Sequence, residues 1–483
     1  MNVQTRPTRA EGLAALEARL REDLDALCHP PANWVPETTH PDGAVTDVVV
    51  LGGGMCGLVA AFALERAGIR NLRILDRSPA GREGPWVTYA RMETLRSPKH
   101  LIGPAFGLGP LTFRQWYVAQ WGEAAWEALD KIPRPMWMDY LRWYRRALGL
   151  PVENEVEVTR VRPHDGLLRL DLAGPGARED FILCRRLVMA TGREGLGAPN
   201  IPGFVEGLPR GRVWAHSSDA IDFGSLRGKR VGVVGVGASA VDNAAEALEA
   251  GCAECRMLIR RAEMPTVNKM MGIGSYGFTA GFPDLPDDWR WRFMRYSFVT
   301  QTPAPRGSTL RVSRHDNAHF HFGCGIERVG RAGDALRVET ASGRAFDLDF
   351  LILGTGFTVE PEARTEFGEA ASEVLLWRDV YAPPPEEAHA DLALFPYLAP
   401  DFSFRERDAG AAPWLSRVHC FNYGATLSMG KVSGDIPAVS DGAAFLARSL
   451  ASALYAEDIE RHWAGLQAYS KPELLGDEWR AAE

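Results

Sequence analysis

The chain has few of the features that mark membrane-spanning, secreted or nucleic-acid-binding proteins. Only 7 of its 483 residues are cysteine, and a small, odd number of scattered cysteines is typical of a reducing compartment. It has no run of about 18 apolar residues, so we expect no transmembrane helix. The polar N-terminus has no apolar signal-peptide stretch, and a net charge of −8 gives no sign of a basic nucleic-acid-binding face. We therefore expect a cytoplasmic protein without a membrane or nucleic-acid partner.

The composition that remains is that of a folded globular protein. Hydrophobic residues make up 46% of the chain and charged residues 24%, which excludes intrinsic disorder, coiled coils and collagen-like chains. At about 150 residues per domain, the length predicts about three domains or two large interleaved ones. Leucines spaced three and four residues apart predict an amphipathic helix over 9–27. We expect this helix to pack on the main body or on a second copy of the chain, so a homodimer stays open.

A glycine-rich turn between a buried strand and a helix is the first informative motif. The apolar run 48–51 predicts the strand. In the G-x-G-x-x-G pattern that follows, Gly52 makes the tight turn, Gly54 lets a pyrophosphate approach the backbone, and Gly57 allows close helix–strand packing. A second strand ends at Asp76, about 20 residues on, where a carboxylate accepts bonds from ribose hydroxyls. The segment predicts a dinucleotide site that suits FAD.

The same unit occurs a second time. Another apolar strand leads into Gly235 and Gly237, with Ala240 in the third position, which the pattern tolerates. Here the following strand ends in Arg260 and Arg261 instead of an acid. Guanidinium groups bind a ribose 2′-phosphate, which a carboxylate would repel, so we expect NADPH at this second site. A solvated strand end is the alternative interpretation of the arginine pair.

Four further segments give the chain a family resemblance. The sequence between about residues 45 and 445 resembles the class B flavin-dependent monooxygenases, the flavin-containing and Baeyer–Villiger group. The four segments that match the family are Gly84-Pro85-Trp86, the hinge-like Met189–Gly192 with Pro199–Gly203, Val213–Ser217, and the crossover-like Leu353–Phe357. The chain departs from the family in the fingerprint motif, which has Phe and Gly at the positions of Arg210 and Arg212. Only His216 and Ser217 match that motif.

The resemblance implies an α/β fold with two interleaved Rossmann-like dinucleotide-binding domains and an N-terminal helical extension. The extension and its linker would occupy residues 1–39. The FAD-binding domain would comprise 40–210 plus 326–483. The NADPH-binding domain would be inserted at 211–325, with a substrate-side insertion over 264–325.

The resemblance also implies a reaction. NADPH would reduce FAD, the reduced flavin would react with O2 to give a C4a-(hydro)peroxyflavin, and oxygen would pass to a small organic substrate. That substrate could be a nitrogen or sulfur heteroatom, a carbonyl or an electron-rich heterocycle such as a urate-like purine. Two alternatives remain: an FAD- and NADPH-dependent reductase of a disulfide or quinone, and a non-catalytic sensor of flavin or nucleotide.

Site residues follow from the two motifs and the resemblance. Candidates for contact with substrate or nicotinamide are Arg96, Lys99 and His216. For FAD we expect Gly52, Gly54, Gly57, Asp76, Arg77, Trp86, Thr191, Gly192, Gly434 and Asp435. For NADPH and the domain crossover we expect Gly235, Gly237, Ala238, Ser239, Ala240, Arg260, Arg261, His216, Ser217, Gly354, Thr355 and Gly356.

Two other clusters invite a chemical interpretation. Cys252 and Cys255 form a C-x-x-C, but it follows the second glycine turn, where a strand begins. We therefore expect these thiols to fill space. His315, His319 and His321 have a spacing that could hold a metal. Because a flavin itself activates oxygen, we expect no metal and leave the role of these histidines open.

Overall fold

The computed structural model describes residues 8–333, 335–480 and 482, and it has a mixed α/β architecture. The α/β class predicted from the sequence is confirmed. Among the described residues, no helix is both long and apolar enough to cross a bilayer.

The strands form one mixed sheet, one parallel sheet and a smaller antiparallel sheet. In chain order they are β1 (Thr39–His40), β2 (Gly43–Leu51), β3 (Leu72–Asp76), β4 (Val152–Asn154), β5 (Glu157–His164), β6 (Leu167–Ala173), β7 (Phe181–Met189), β8 (Trp214–His216), β9 (Arg230–Val234), β10 (Glu254–Leu258), β11 (Ala318–His321), β12 (Ile326–Ala332), β13 (Ala335–Thr340), β14 (Ala345–Leu348), β15 (Phe350–Leu353) and β16 (Val418–Cys420).

The α-helices cover the sheets and connect them. In chain order they are α1 (Arg9–Ala26), α2 (Met55–Arg66), α3 (Phe113–Trp121), α4 (Glu123–Ala128), α5 (Arg134–Ala147), α6 (Ala238–Glu249), α7 (Tyr276–Gly281), α8 (Asp287–Thr300), α9 (Arg306–Ser313), α10 (Trp377–Val380), α11 (Ala390–Ala393), α12 (Thr426–Met429), α13 (Val439–Glu457) and α14 (Ile459–Ala468).

The first sheet is built around β2. Its order is β4-β3-β2-β7-β6-β5, with β1 on β2 and β16 on β7. Strand β2 runs parallel to β3 and β7. Val48, Val49 and Val50 are fully buried, as expected for a strand covered on both faces. Helix α2 follows this strand directly, so the first glycine turn lies at the carboxyl edge of the sheet, where ligands bind in such folds.

The second sheet has the order β11-β10-β9-β15-β8, and all its pairings are parallel. Strand β15 follows the antiparallel sheet β12-β13-β14, yet it lies between β8 and β9. The expected domain boundary at residue 325 therefore divides one sheet. We propose that the inserted domain runs from about 211 to about 354, because a parallel strand in the middle of a sheet cannot belong to a different folding unit.

The chain crosses between the two sheets at two neighbouring places. Pro199 and Phe357 form an antiparallel bridge. The Asn200 N–H donates to Gly356 O at 2.9 Å, and Thr355 Oγ1 donates to Asn200 O at 2.5 Å. The two crossover segments therefore hold one another, and they bring the carboxyl edges of both sheets together.

The N-terminal helix packs on the main body. Helix α1 buries Leu16 and Leu20 and lies against α3. A Cβ at Gly12 would stand 1.8 Å from Ala119 O, so the two backbones are in direct contact. The side of α1 that the leucine spacing predicted as apolar is thus covered within the chain itself.

Candidate active site

The first glycine turn has the geometry that its motif requires. Gly52 has a φ of +107°, and a Cβ at Gly57 would stand 1.7 Å from Gly52 O. The third motif position thus permits the close helix–strand contact expected of it. At Gly54 the nearest atom to an added Cβ would be Gly84 Cα, at 3.7 Å. A Cβ at Gly54 would therefore make only ordinary van der Waals contact with the protein, and Gly54 itself lines the cavity.

The amino end of α2 is free to bind an anion. Gly54 is the N-cap and has no side-chain cap. The first backbone bond of the helix runs from Leu58 N–H to Gly54 O, at 3.0 Å. The N–H groups before Leu58 and the positive end of a 12-residue helix therefore face the cavity, which is the arrangement that binds a phosphate.

Asp76 closes this turn from the end of β3. Its Oδ2 accepts from Gly53 N–H and its Oδ1 from Ser78 N–H, both at 2.7 Å. Each carboxylate oxygen keeps another lone pair, and Asp76 lines the cavity, so it can still accept a ribose hydroxyl. Arg77 lies beside it with an exposed side chain, 3.8 Å from Glu194.

The second glycine turn repeats the first. Gly235 has a φ of +109°, and Gly237 is the uncapped N-cap of α6. A Cβ at Gly354 would stand 2.4 Å from Ala240 Cβ. The alanine in the third motif position therefore packs against the glycine that begins the crossover, so these two features of the sequence depend on each other.

The two arginines after β10 are in different situations. Arg261 donates from Nε to Gln301 Oε1 at 2.7 Å and from Nη2 to Val299 O at 2.9 Å. Arg260 is exposed, lines the cavity and makes no hydrogen bond or ion pair with any residue that the structure describes. Arg260 is thus the better placed of the two to bind an incoming phosphate.

One cavity of about 2040 Å³ joins both glycine turns. Ordinary ligand pockets are roughly 300–1,000 Å³, so there is room for more than one ligand. Most expected site residues line it: Gly52, Gly54, Asp76, Arg77, Trp86, Arg96, Thr191, Gly192, Ser217, Gly235, Gly237, Ala238, Ser239, Arg260, Arg261, Gly354, Thr355, Gly356, Gly434 and Asp435.

The Gly434-Asp435 loop is attached to the first turn. The Cys56 thiol donates to Ser433 O at 3.3 Å, which places the loop at the start of α2. Asp435 lies near enough to that thiol to help burial raise its pKa to about 12. A carboxylate at this place can accept hydroxyl donors from a ligand that extends away from the α2 terminus.

Two of the three candidate catalytic side chains point away from the cavity. Lys99 is buried, and its ammonium donates to Trp126 O at 2.6 Å and to Glu127 O at 3.3 Å. Its proposed contact with substrate does not fit this position. The backbone direction of the loop could not be read from the sequence, and it sends Arg96 into the cavity and Lys99 into the core.

His216 also does not fit a catalytic contact. Its side chain is fully buried, with Nε2 2.9 Å from Gly356 O and Nδ1 2.7 Å from Ser218 Oγ. Burial lowers the pKa of the imidazole, so the neutral form is favoured. His216 thus connects β8 to the second crossover, with no ring nitrogen left for a substrate or nicotinamide.

Several polar residues that line the cavity are not among the expected site residues; three of them are Asp242, Asn268 and Lys431. Asp242 is buried on α6, and burial raises the pKa of its carboxyl. The Asn268 amide oxygen is buried without a hydrogen-bond partner in the described structure. The only feature of the sequence that could have indicated Asp242 is an acidic residue on an alanine-rich helix. No motif includes Asn268 or Lys431.

The remaining clusters have structural partners. His319 lies 3.4 Å from Glu254, and Arg256 lies 3.3 Å from His321. Burial and the nearby arginine lower the pKa of His321. Elsewhere, His40 and His164 meet Asp165 with ligand atoms within 4.8 Å of one another. His40 also lies 3.4 Å from Asp165, and His164 lies 2.7 Å from Asp42, so these side chains contact one another directly.

Comparison with known proteins decides the family. A family model described as pyridine nucleotide-disulphide oxidoreductase matches residues 49–272. An FAD-dependent urate hydroxylase from Xanthomonas campestris pv. campestris is 39% identical over 467 residues, which cover 96% of this chain and 98% of that protein. The chain belongs to the class B flavin-dependent monooxygenases. This monooxygenase is accordingly a flavin-dependent oxidoreductase, as the resemblance implied.

Solved structures show how widely the fold of this monooxygenase is shared. Ornithine hydroxylase from Pseudomonas aeruginosa is 19% identical, with a TM-score of 0.63 over 85% of this chain and 100% of that one. Bacillithiol disulfide reductase from Staphylococcus aureus is 15% identical, with a TM-score of 0.53 over 85% of this chain and 99% of that one. Oxygenases and reductases thus share the architecture, and the site has to distinguish them.

The cysteines of this monooxygenase oppose disulfide reduction. Burial raises the pKa of Cys252 to about 11 and that of Cys56, beside the first glycine turn, to about 12. Cys255 is fully buried and its pKa is raised as well. Because the thiolate is the reactive form of cysteine, none of these three side chains is prepared to attack a disulfide.

Proposed function

We propose that this monooxygenase hydroxylates a urate-like purine. The observation that carries the proposal is the 39% identity to a urate hydroxylase over nearly the full length of both chains. In the overall reaction, one oxygen atom of O2 enters the purine and the other leaves as water, while NADPH supplies two electrons. A substrate of this class is a planar, electron-rich and weakly acidic molecule.

We assign FAD to the first glycine turn. Gly54 lines the cavity without a side chain, and together with the free N–H groups of α2 it fits a pyrophosphate. Asp76 would accept from the ribose, and Asp435 lies where it could accept from the ribitol. Trp86, which lines the cavity, would pack beside the flavin. Bound FAD supplies the hydride acceptor and the oxygen-activating group.

We assign NADPH to the second glycine turn. The α6 amino end would bind the pyrophosphate, and Arg260, which has no partner in the described structure, would bind the 2′-phosphate. Gly354, Thr355 and Gly356 border the same cavity. The two crossovers hydrogen-bond to one another, so they would help to fix the distance between the two cofactors.

Arg96 is the expected cation that does reach the common cavity. A guanidinium nitrogen donates to Pro303 O, so the arginine is held in place. Burial lowers its pKa while the carboxylates of Asp242 and Asp435 act in the opposite direction. We propose that Arg96 organises these two carboxylates at the centre of the cavity, where the substrate and the flavin would meet.

A cytoplasmic location is a further part of the proposal. Among the described residues all seven cysteines are unpaired, which suits a reducing compartment. Helix α1, which the sequence left open as a dimer contact, packs on α3 of the same chain. Light scattering of the purified protein would show whether it forms a homodimer.

The test follows NADPH oxidation, O2 uptake and hydrogen peroxide together, with and without urate. We expect urate to accelerate NADPH oxidation, little peroxide to form, and one atom of isotopically labelled O2 to appear in the product. Adenine, a purine of similar size that stays uncharged at neutral pH, serves as the matched control. The proposal would be contradicted if the amount of hydrogen peroxide formed equalled the amount of NADPH consumed with either purine.

A further inference from the structure

A lysine with no counterpart in any recognised motif lines the cavity near the Gly434-Asp435 loop. Lys431 follows Gly430, which ends α12 with a φ of +79°. A Cβ at Gly430 would stand 3.1 Å from Phe282 Cδ1, so the backbone here abuts an aromatic ring. Just before this turn, the Ser428 hydroxyl bonds to Pro396 O at 2.9 Å and accepts from Trp377 Nε1 at 3.1 Å. The segment that presents Lys431 is therefore well anchored.

The ammonium group of Lys431 has no partner within the chain. Across residues 8–333, 335–480 and 482 it makes neither a hydrogen bond nor an ion pair, although the side chain is half-buried. The other two cations considered for this region are occupied: Lys99 by two carbonyl groups and Arg96 by Pro303 O. Because burying an uncompensated charge is costly, a partner from outside the chain would stabilise Lys431.

The surroundings of Lys431 favour an anion as that partner. Burial lowers the pKa of its ammonium group; the carboxylate of Asp435 acts against this, and Arg193 and Arg96 add to it. Since Asp242 also acts on Arg96, two acids and three cations lie in this part of the cavity wall. A bound anion would pair with the cation that has no partner and keep the lysine protonated.

Aromatic side chains line the cavity next to the segment that presents Lys431. The rings of Phe278 and Phe282 lie edge to face with their centroids 5.4 Å apart, and both line the cavity with Phe298. The Arg193 guanidinium, also in the lining, covers the Tyr423 ring at 4.0 Å. Aromatic faces stack with planar ligands, so the site combines a preference for a flat molecule with one for negative charge.

We propose that Lys431 binds the anionic edge of a planar heterocyclic substrate and so selects ionised substrates over neutral ones. This inference rests on the proposed function and adds to it the residue that recognises charge. Lys431 is thus a specificity-determining residue: it would lower the substrate KM, while the binding of both cofactors would not depend on it.

The experiment titrates urate into the oxidised, FAD-loaded enzyme without NADPH, following the flavin absorption spectrum and the heat of binding. Lys431→Met keeps the length of the side chain and removes its charge. A charge-assisted hydrogen bond is worth enough for about a 10- to 100-fold effect on affinity. We expect the urate Kd and KM to rise by that factor, with flavin content and the NADPH Kd within about twofold of the unaltered enzyme. Lys431→Arg should restore most of the affinity.

Lys269→Met is the matched control, because Lys269 is an exposed lysine near the same face that does not line the cavity. It should leave all these values unchanged. If urate fails to bind the unaltered enzyme, the proposed function falls and this inference falls with it. If urate binds the unaltered enzyme and Lys431→Met equally well, this inference alone falls. Loss of flavin or of NADPH affinity in Lys431→Met would make the lysine a cofactor ligand and would also overturn it.

Discussion

Replacing Arg260 with alanine should separate NADPH from NADH. The structure leaves the Arg260 guanidinium without a partner at the end of β10, on the wall of the cavity. NADPH and NADH differ only in the 2′-phosphate, so a residue that binds this group affects one cofactor and not the other. Arg261, by contrast, is held by Gln301 and Val299 O and would have to break both bonds to reach the phosphate.

The size of the effect follows from the exposure of Arg260. Hydrogen bonds to a charged group contribute about 1.5–3 kcal/mol, and solvent screening at an exposed side chain favours the lower end of that range. Since 1.4 kcal/mol corresponds to a factor of ten, we expect Arg260→Ala to raise the Kd for NADPH about tenfold. The Kd for NADH should stay within about twofold.

The assay is rapid mixing of the oxidised enzyme with each cofactor under anaerobic conditions, following flavin reduction at several cofactor concentrations. The concentration dependence yields the Kd, and the limiting rate reports hydride transfer, which should not change. Arg261→Ala is the internal comparison. It would free the side chain of Gln301, whose Nε2 lies 3.5 Å from the position of a Cβ built at Gly237 in the second glycine turn. Because NADPH and NADH would share this turn, the Kd values of both cofactors should change alike. An equal loss for NADPH and NADH in Arg260→Ala would refute the assignment of the 2′-phosphate.

Three further substitutions test the first glycine turn and the core. Gly54→Val adds a Cβ that stays 3.7 Å from the nearest protein atom and occupies the cavity wall, so the variant should fold, shown by an unchanged circular dichroism spectrum, yet purify without yellow flavin. Gly57→Ala places a methyl group 1.7 Å from Gly52 O and should cost about 3 kcal/mol of unfolding free energy, measured by denaturant titration. Burial raises the pKa of Asp47 from 3.8 to about 6 despite the nearby Arg185, so the folded state keeps a proton that the unfolded state loses. Stability should therefore fall by up to about 3 kcal/mol between pH 4 and 6, and Asp47→Asn should remove this fall; a slope that survives the substitution would place its origin in another group.

The glycine turns were predictable because their requirements are local. A tight turn, a free helix terminus and a close strand–helix contact all involve residues within a few positions of one another, so Gly52 and Gly57 could be assigned roles from spacing alone. The α/β class followed from the same repeated strand–turn–helix units. The second motif, at Gly235, could be recognised from local spacing in the same way. Its contact with Gly354 could not, because the two segments lie far apart in the chain.

Features that depend on distant segments were not predictable. Strand β15 enters the second sheet from beyond the antiparallel sheet, and no local pattern indicates which sheet a short apolar strand joins. The direction of a side chain in an irregular loop is equally hidden: Arg96 and Lys99 are three positions apart, yet one lines the cavity and the other bonds to Trp126 O. Lys431 is placed in the cavity by the packing of α12 and carries no motif.

These differences explain why the fold of this enzyme and its reaction have to be argued separately. We propose that the two glycine turns bind the two dinucleotides, and a disulfide reductase shares the overall fold. The reaction therefore has to be argued from the rest of the cavity wall, which includes the segment after β10 and the loop after α12. Here that wall has aromatic rings and an unpaired lysine, while the thiol at the first turn, Cys56, has a pKa raised to about 12. Burial raises the pKa of both cysteines that line the cavity, Cys56 and Cys324. A raised pKa disfavours the reactive thiolate, so the site favours oxygenation over disulfide reduction, in agreement with the function that we propose.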